Sequence, residues 1–172
     1  MNPDEVGDKY EAIVLAELRK FNPNAIKNGG DRKTNPFKEE YKWYDFEDFG
    51  GIEVKGDEIA DMSNKYAFDK STNGEPSGLA TTRAYWHILF TLTRYYIIKT
   101  DILKWLVEYK GILRYWYPPV GRYLNTMVLR DENFFNVYSG NHMDLYRIPL
   151  PAIELFSNDS GKIEDFNLEA LL

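Results

Sequence analysis

Cysteine is missing altogether from this 172-residue chain. That excludes a disulfide framework and any thiolate metal site, and it fits a reducing compartment without requiring one. Long apolar runs are missing as well. The best stretch, Ala84 to Ile98, is interrupted by His87 and Arg94 and falls short of the roughly 20 residues that a membrane helix needs. The opening Met1-Asn2-Pro3-Asp4-Glu5 is acidic and lacks the apolar segment of a secretory signal. Positive charge is scarce. A net charge of −6 speaks against a protein that coats nucleic acid electrostatically. It leaves room for an enzyme acting on nucleic acid, because acidic metal ligands add to that charge. The expectation is a soluble, cytoplasmic protein with no membrane partner.

What is present is a globular composition, 44% hydrophobic and with a high aromatic share of 16%. The length suits one compact domain that buries most of its apolar surface without staples. No internal repeat, low-complexity segment or interdomain linker interrupts it. We read residues 1–157 as one domain and 158–172 as a polar tail, a loosely held helix at most. Residues 27 to 42 carry Lys27, Arg32, Lys33, Lys38 and Lys42 against Asp31, Glu39 and Glu40. That is a weak basic patch or, equally, a solvated loop.

The first element reads as a helix from Pro3 to Phe21, with Asn2 as N-cap and Val6, Tyr10, Ile13 and Val14 on one face. Asn22-Pro23-Asn24 stops it. Trp43 to Phe46 and Ile52 to Lys55 read as the two strands of a hairpin around Glu47-Asp48-Phe49-Gly50-Gly51. Lys65 to Lys70 is a third strand, Thr81 to Thr91 a helix, Arg94 to Ile98 a strand, and Asp101 to Tyr109 a helix capped by Thr100. Further strand candidates are Arg114 to Tyr117, Thr126 to Arg130 and Leu145 to Leu150, with a short aromatic stretch at Phe134 to Tyr138. This order predicts an α/β fold, a central mixed sheet flanked by helices.

One constellation carries chemistry. On a strand, Glu53 and Lys55 share a face while Ile52 and Val54 turn toward a core. The hairpin turn brings Asp45 back beside Glu53. Two carboxylates and an ammonium then meet at one sheet edge. Close carboxylates repel unless a cation or proton lies between them. Hard oxygen ligands suit Mg²⁺ or Mn²⁺, and such an ion with a neighbouring lysine matches phosphodiester hydrolysis.

This pattern resembles the PD-(D/E)XK nuclease superfamily: Asp45, seven intervening residues, then Glu53-Val54-Lys55. Gly7-x-x-x-Glu11 is similar to the start of archaeal Holliday junction resolvases, and Pro76-Ser77-Gly78-Leu79-Ala80-Thr81-Thr82-x-Ala84-x-Trp86 looks like a segment of phage-encoded members. The likeness spans roughly residues 7 to 100 and departs at Tyr44, where the family often has proline. It implies a restriction endonuclease-like fold. It also implies metal ligation by Asp45, Glu53 and the Val54 carbonyl, water activation by Lys55, and help from Glu11. Its substrate would be DNA, and action on symmetric junctions would need a homodimer.

The remaining candidates each have a plain alternative. Thr81, Thr82 and Arg83, with Ser77 and Lys33, would bind substrate phosphate if they open a helix; Thr81 as a simple N-cap explains the same residues. Glu11 is alternatively a solvated helix residue, and Asp69 a solvated strand end rather than a further ligand. His87 reads best as a satisfied, partly buried histidine; His142 has no partner at fixed spacing. The pairs Tyr95-Tyr96, Trp116-Tyr117 and Phe134-Phe135 suit either base stacking or a core. Besides a metal-dependent deoxyribonuclease, the sequence is compatible with an inactive DNA-binding module of the same fold or with a phage structural or assembly protein.

Overall fold

A computed structural model of the chain describes residues 3–28, 43–72, 75–76, 78–110, 112–117, 126–129 and 143–172. The apolar stripe near the start does form a helix, α1 (Pro3–Phe21). Tyr10, Val14 and Leu18 recur every four residues, and all three are fully buried. They face a four-stranded sheet made of β1 (Ile52–Gly56), β4 (Trp86–Phe90), β5 (Arg94–Lys99) and β9 (Asp159–Lys162), in that spatial order. β1 runs parallel to β4, and the other pairs are antiparallel, so the sheet is mixed.

A second, antiparallel sheet has the order β3-β2-β8-β6-β7, from β2 (Lys65–Thr72), β3 (Glu75–Pro76), β6 (Ile112–Tyr117), β7 (Thr126–Leu129) and β8 (Met143–Pro149). Among the described residues three further α-helices accompany the sheets: α2 (Ala60–Ser63), α3 (Thr100–Lys110) and α4 (Leu150–Phe156). The mixed sheet flanked by helices is an α/β arrangement. Among the described residues no helix is long and apolar enough to cross a membrane.

Strand alternation divides the core in two. Ile52, Val54, Ile88, Phe90, Tyr95 and Ile97 face α1. Leu89, Tyr96 and Ile98 face the other way, onto Tyr66 and Phe68 of β2, Leu103, Leu106 and Val107 of α3, and Ile153 of α4. A sheet buried on both faces needs unbroken apolar strands, and Trp86–Phe90 is buried at every position. This corrects the helix expected over Thr81 to Thr91. A short apolar run has no period of its own, so helix and strand are indistinguishable in it, and here the sheet decides.

Two other expectations change. The strand at Trp43 to Phe46 reduces to a single bridge, Phe46 to Ile52. The turn between them holds three successive residues at positive φ: Phe49 (55°), Gly50 (87°) and Gly51 (101°). The span 158–172 is not a loose helical tail: β9 pairs along β5, and Phe166 and Leu168 sit in the core beneath α1. The expected N-cap Asn2, the patch residues 29–42 and the stretch Phe134 to Tyr138 lie outside the described residues.

Close approach of α1 to β1 depends on one glycine. A Cβ placed on Gly56 would overlap the Tyr10 ring and come within 2.9 Å of Val6. That ring cannot retreat. It stacks on Phe90 with centroids 4.8 Å apart, and its hydroxyl donates to the Thr91 carbonyl at 2.9 Å.

Candidate active site

Asp45 is held from three sides, twice through its backbone and once through its carboxylate. Its amide donates to the Ile52 carbonyl (2.8 Å), its carbonyl accepts from the Asn28 amide (2.6 Å), and its Oδ2 accepts from the Val54 amide (2.7 Å). The turn before β1 thus folds Asp45 against the open edge of that strand. A strand residue sends its N–H and C=O to the same side, so the Val54 carbonyl also faces this edge, away from β4.

The site's charges are crowded. Asp45 is 9% exposed. Burial, followed by repulsion from Glu53 and then Glu11, pushes its carboxyl up to about 7, against the opposing pull of the Val54 amide and Lys55. Glu53 and Lys55 do share a face of β1, with Lys55 Nζ 2.8 Å from Glu53 Oε1. Burial would lower the Lys55 ammonium's pKa. Glu53, by charge and hydrogen bond, and then Asp45 and Asp69 outweigh that and hold it above its ordinary value. Lys55 is therefore a cation in the resting protein.

Glu11 lies on α1 at 8% exposure, not solvated. Its Oε2 is fully buried, and the Lys27 ammonium rests against it as an ion pair. Lys27 also lies 3.2 Å from Asp8. Asp69 is not a strand end: it sits within β2, with its carboxylate packed on Gly78, whose φ is 49°.

His87 is a satisfied, buried histidine, as expected. It is on β4, not on a helix, and pairs in register with Glu53. Its Nδ1 lies 2.8 Å from Thr100 Oγ1, so the Thr100 hydroxyl serves this histidine. Burial, then Lys55 and Lys104, lower its pKa to about 3. Reading Trp86–Phe90 as a strand would have placed His87 on the face of Glu53 and Lys55.

The expected phosphate-binding residues separate. No helix begins at Thr81, so the dipole argument falls. Thr82 is buried, donating from Oγ1 to the Trp43 carbonyl at 2.9 Å and accepting from the Ala84 amide. Thr81 Oγ1 donates to the Gly78 carbonyl. Arg83 is exposed over the Trp43 ring. Ser77, Lys33 and His142 lie outside the described residues. Tyr95 and Tyr96 are both buried, hence core rather than stacking surface.

The donors fit a hard divalent cation in kind. Asp45, Glu53 and the Val54 carbonyl offer oxygen only, and Glu53 repels Asp45. Among the described residues no three acidic, histidine or cysteine side chains form a ready metal cage. Compared with known protein families, curated proteins and solved structures, the chain matches none.

Proposed function

We propose that the chain is a metal-dependent nuclease that hydrolyses DNA phosphodiester bonds at Asp45, Glu53 and Lys55, in the manner of the PD-(D/E)XK superfamily. One observation carries this reading: a buried carboxylate bonded to the amide of Val54 is repelled by both a strand glutamate and a helical glutamate, with a charged lysine on the same strand.

Asp45, Glu53 and the Val54 carbonyl would hold Mg²⁺ or Mn²⁺. When bound, such an ion neutralises phosphate charge and acidifies a water molecule. The chain's own residues do the rest. The Val54 amide fixes the orientation of Asp45. Glu53 holds the Lys55 ammonium near the edge. Because that ammonium is charged at neutral pH, its part is to donate hydrogen bonds to phosphate oxygens and to orient water as negative charge develops. It does not start as the base. Glu11 adds negative potential behind Asp45 and helps retain a cation.

The test is direct. Purified protein is incubated with single-stranded, duplex and branched DNA in Mg²⁺, in Mn²⁺ or in EDTA. Cleavage only with metal supports the reading; intact DNA of every form in both metals would overturn it. A binding module without catalysis is the second reading. It is favoured by the ion pairs Lys27–Glu11 and Lys55–Glu53, which already offset part of the acidic charge.

A further inference from the structure

At the turn that leads into β1 lies a partly exposed cluster of aromatic rings and cations. The Arg83 guanidinium carbon is 3.9 Å from the centroid of the Trp43 ring. The two residues are also clamped through their backbones. The Arg83 amide donates to the Trp43 carbonyl at 3.0 Å, and Thr82 Oγ1 donates to the same oxygen at 2.9 Å. Next along the chain, Tyr85 is 50% exposed. The Lys99 ammonium is 5.7 Å from the Tyr85 centroid and 5.8 Å from that of Trp86.

The turn before β1 ties this cluster to the site. A Cβ on Gly51 would meet the Tyr44 ring at 3.1 Å, and one on Gly50 would meet Tyr85 at 3.4 Å. Tyr44 and Tyr85 therefore pack on the two residues that lead into Ile52 and Glu53. Trp43 stands two residues before Asp45, a chain reach of at most about 7 Å.

Trp86 is buried in the core, but Trp43 and Tyr85 do not serve it. Trp43 is half-buried, Tyr85 is half-exposed, and neither belongs to the two apolar clusters. An exposed cation–ring pair contributes little stability by itself. In a chain of net charge −6, two cations stacked on rings at the rim of an acidic centre form a local counter-field for a phosphate strand. A ring face is sequence-tolerant for nucleobases but needs a base whose own face is free, which a duplex does not offer.

We propose that Trp43, Arg83 and Tyr85, with Lys99, form a shelf on which an unpaired nucleobase stacks, so that the substrate class is single-stranded nucleic acid or a strand with unpaired bases. Arg83 and Lys99 take the adjoining phosphates. The shelf presents the strand to the edge that carries Asp45 and Glu53. The inference rests on the phosphodiester reading for what happens there, but binding to the shelf requires neither metal nor cleavage.

The experiment is fluorescence anisotropy of labelled single-stranded DNA, single-stranded RNA and duplex DNA of one sequence, in EDTA. The variants are Trp43→Ala and Arg83→Ala, with Trp105→Ala as an exposed tryptophan remote in sequence. Trp43→Ala and Arg83→Ala are expected to weaken single-strand binding by roughly 5- to 150-fold each. Trp105→Ala should bind as the parent does, and the duplex should bind more weakly than the single strand. The DNA and RNA arms assign the sugar, and tight binding of either supports the shelf. Arg83 is exposed, so its truncation keeps the test open if Trp43→Ala fails to fold. Unchanged single-strand affinity in Arg83→Ala, or no single-strand binding by the parent, overturns the shelf whatever is found for cleavage. Shelf-dependent binding with no metal-dependent cleavage overturns the nuclease reading and leaves the shelf standing.

Discussion

The amide of Val54 donates a 2.7 Å hydrogen bond to Oδ2 of Asp45, joining a loop residue to the middle of a strand nine positions later. This bond fixes a buried carboxylate beside Glu53 and within the field of Glu11. The site's charge balance follows from it.

The first prediction concerns pH. Asp45 has a folded pKa of about 7, above its unfolded value near 3.8. Between these values the folded state holds a proton that the unfolded chain has lost, so this group's contribution to stability falls as pH rises from about 4 to 7. His87 acts in the opposite sense. Its folded pKa of about 3 lies below 6.5, so the unfolded chain binds the proton first, and this contribution rises with pH over about 3 to 6.5. The two slopes largely cancel, and the parent should melt at nearly constant temperature between pH 4 and pH 6.5 as far as these groups decide. Asp45→Asn uncovers the His87 slope. Its advantage over the parent should be absent near pH 4 and reach a few kcal/mol above pH 7. Thermal melting of both proteins across pH 4–8 measures this; an Asn variant that loses ground as pH rises contradicts the burial of an ionising carboxylate.

Lys55 is the second. Its side chain is 41% accessible and paired with Glu53. Lys55→Ala should cost roughly 1–3 kcal/mol of stability, because it leaves the largely buried Glu53 carboxylate without its cation. Metal-dependent cleavage should fall by roughly 100- to 1000-fold, the loss seen when one donor to a developing anion is removed. Denaturation and single-turnover cleavage separate the two effects. Near-parental cleavage in this variant removes Lys55 from the mechanism.

Packing of α1 on β1 supplies the third. Gly56→Ala forces a methyl group into the Tyr10 ring, which is held by Phe90 and by its bond to the Thr91 carbonyl. Overpacking of this kind costs about 1–3 kcal/mol. Urea denaturation should show a lower midpoint with an unchanged slope.

The fourth tests the C-terminal span. Phe166 touches Phe90 and Tyr95 edge-on, with centroids 5.0 Å and 5.1 Å away. Phe166→Ala should cost roughly 3–5 kcal/mol, as truncation of a buried aromatic does. A change under about 1 kcal/mol in chemical denaturation would show that residues 158–172 are dispensable to the core.

Local pattern alone determined α1, the strand β1 with Glu53 and Lys55 on one face, and the return of Asp45 to that strand. Each rests on a period or a turn signal contained within about a dozen residues: the stripe Tyr10, Val14, Leu18, the alternation Ile52 to Lys55, and Gly50-Gly51. Tertiary structure decided the rest. Trp86–Phe90 became a strand because both faces of the sheet are covered, and that moved His87 beside Glu53 and cancelled the helix start at Thr81. The span 158–172 reads as polar because its apolar contacts are few and irregularly spaced, Phe166 and Leu168 buried with Ile163 and Leu171 packed against the same core, while β9 is held by backbone pairing along β5, which leaves no hydrophobic pattern. The field that sets Asp45 arises from Glu11 and Glu53, residues on separate elements, and from the exclusion of water around them. Both depend on distance and burial in three dimensions, and neither is written in the spacing Asp45-x₇-Glu53-x-Lys55.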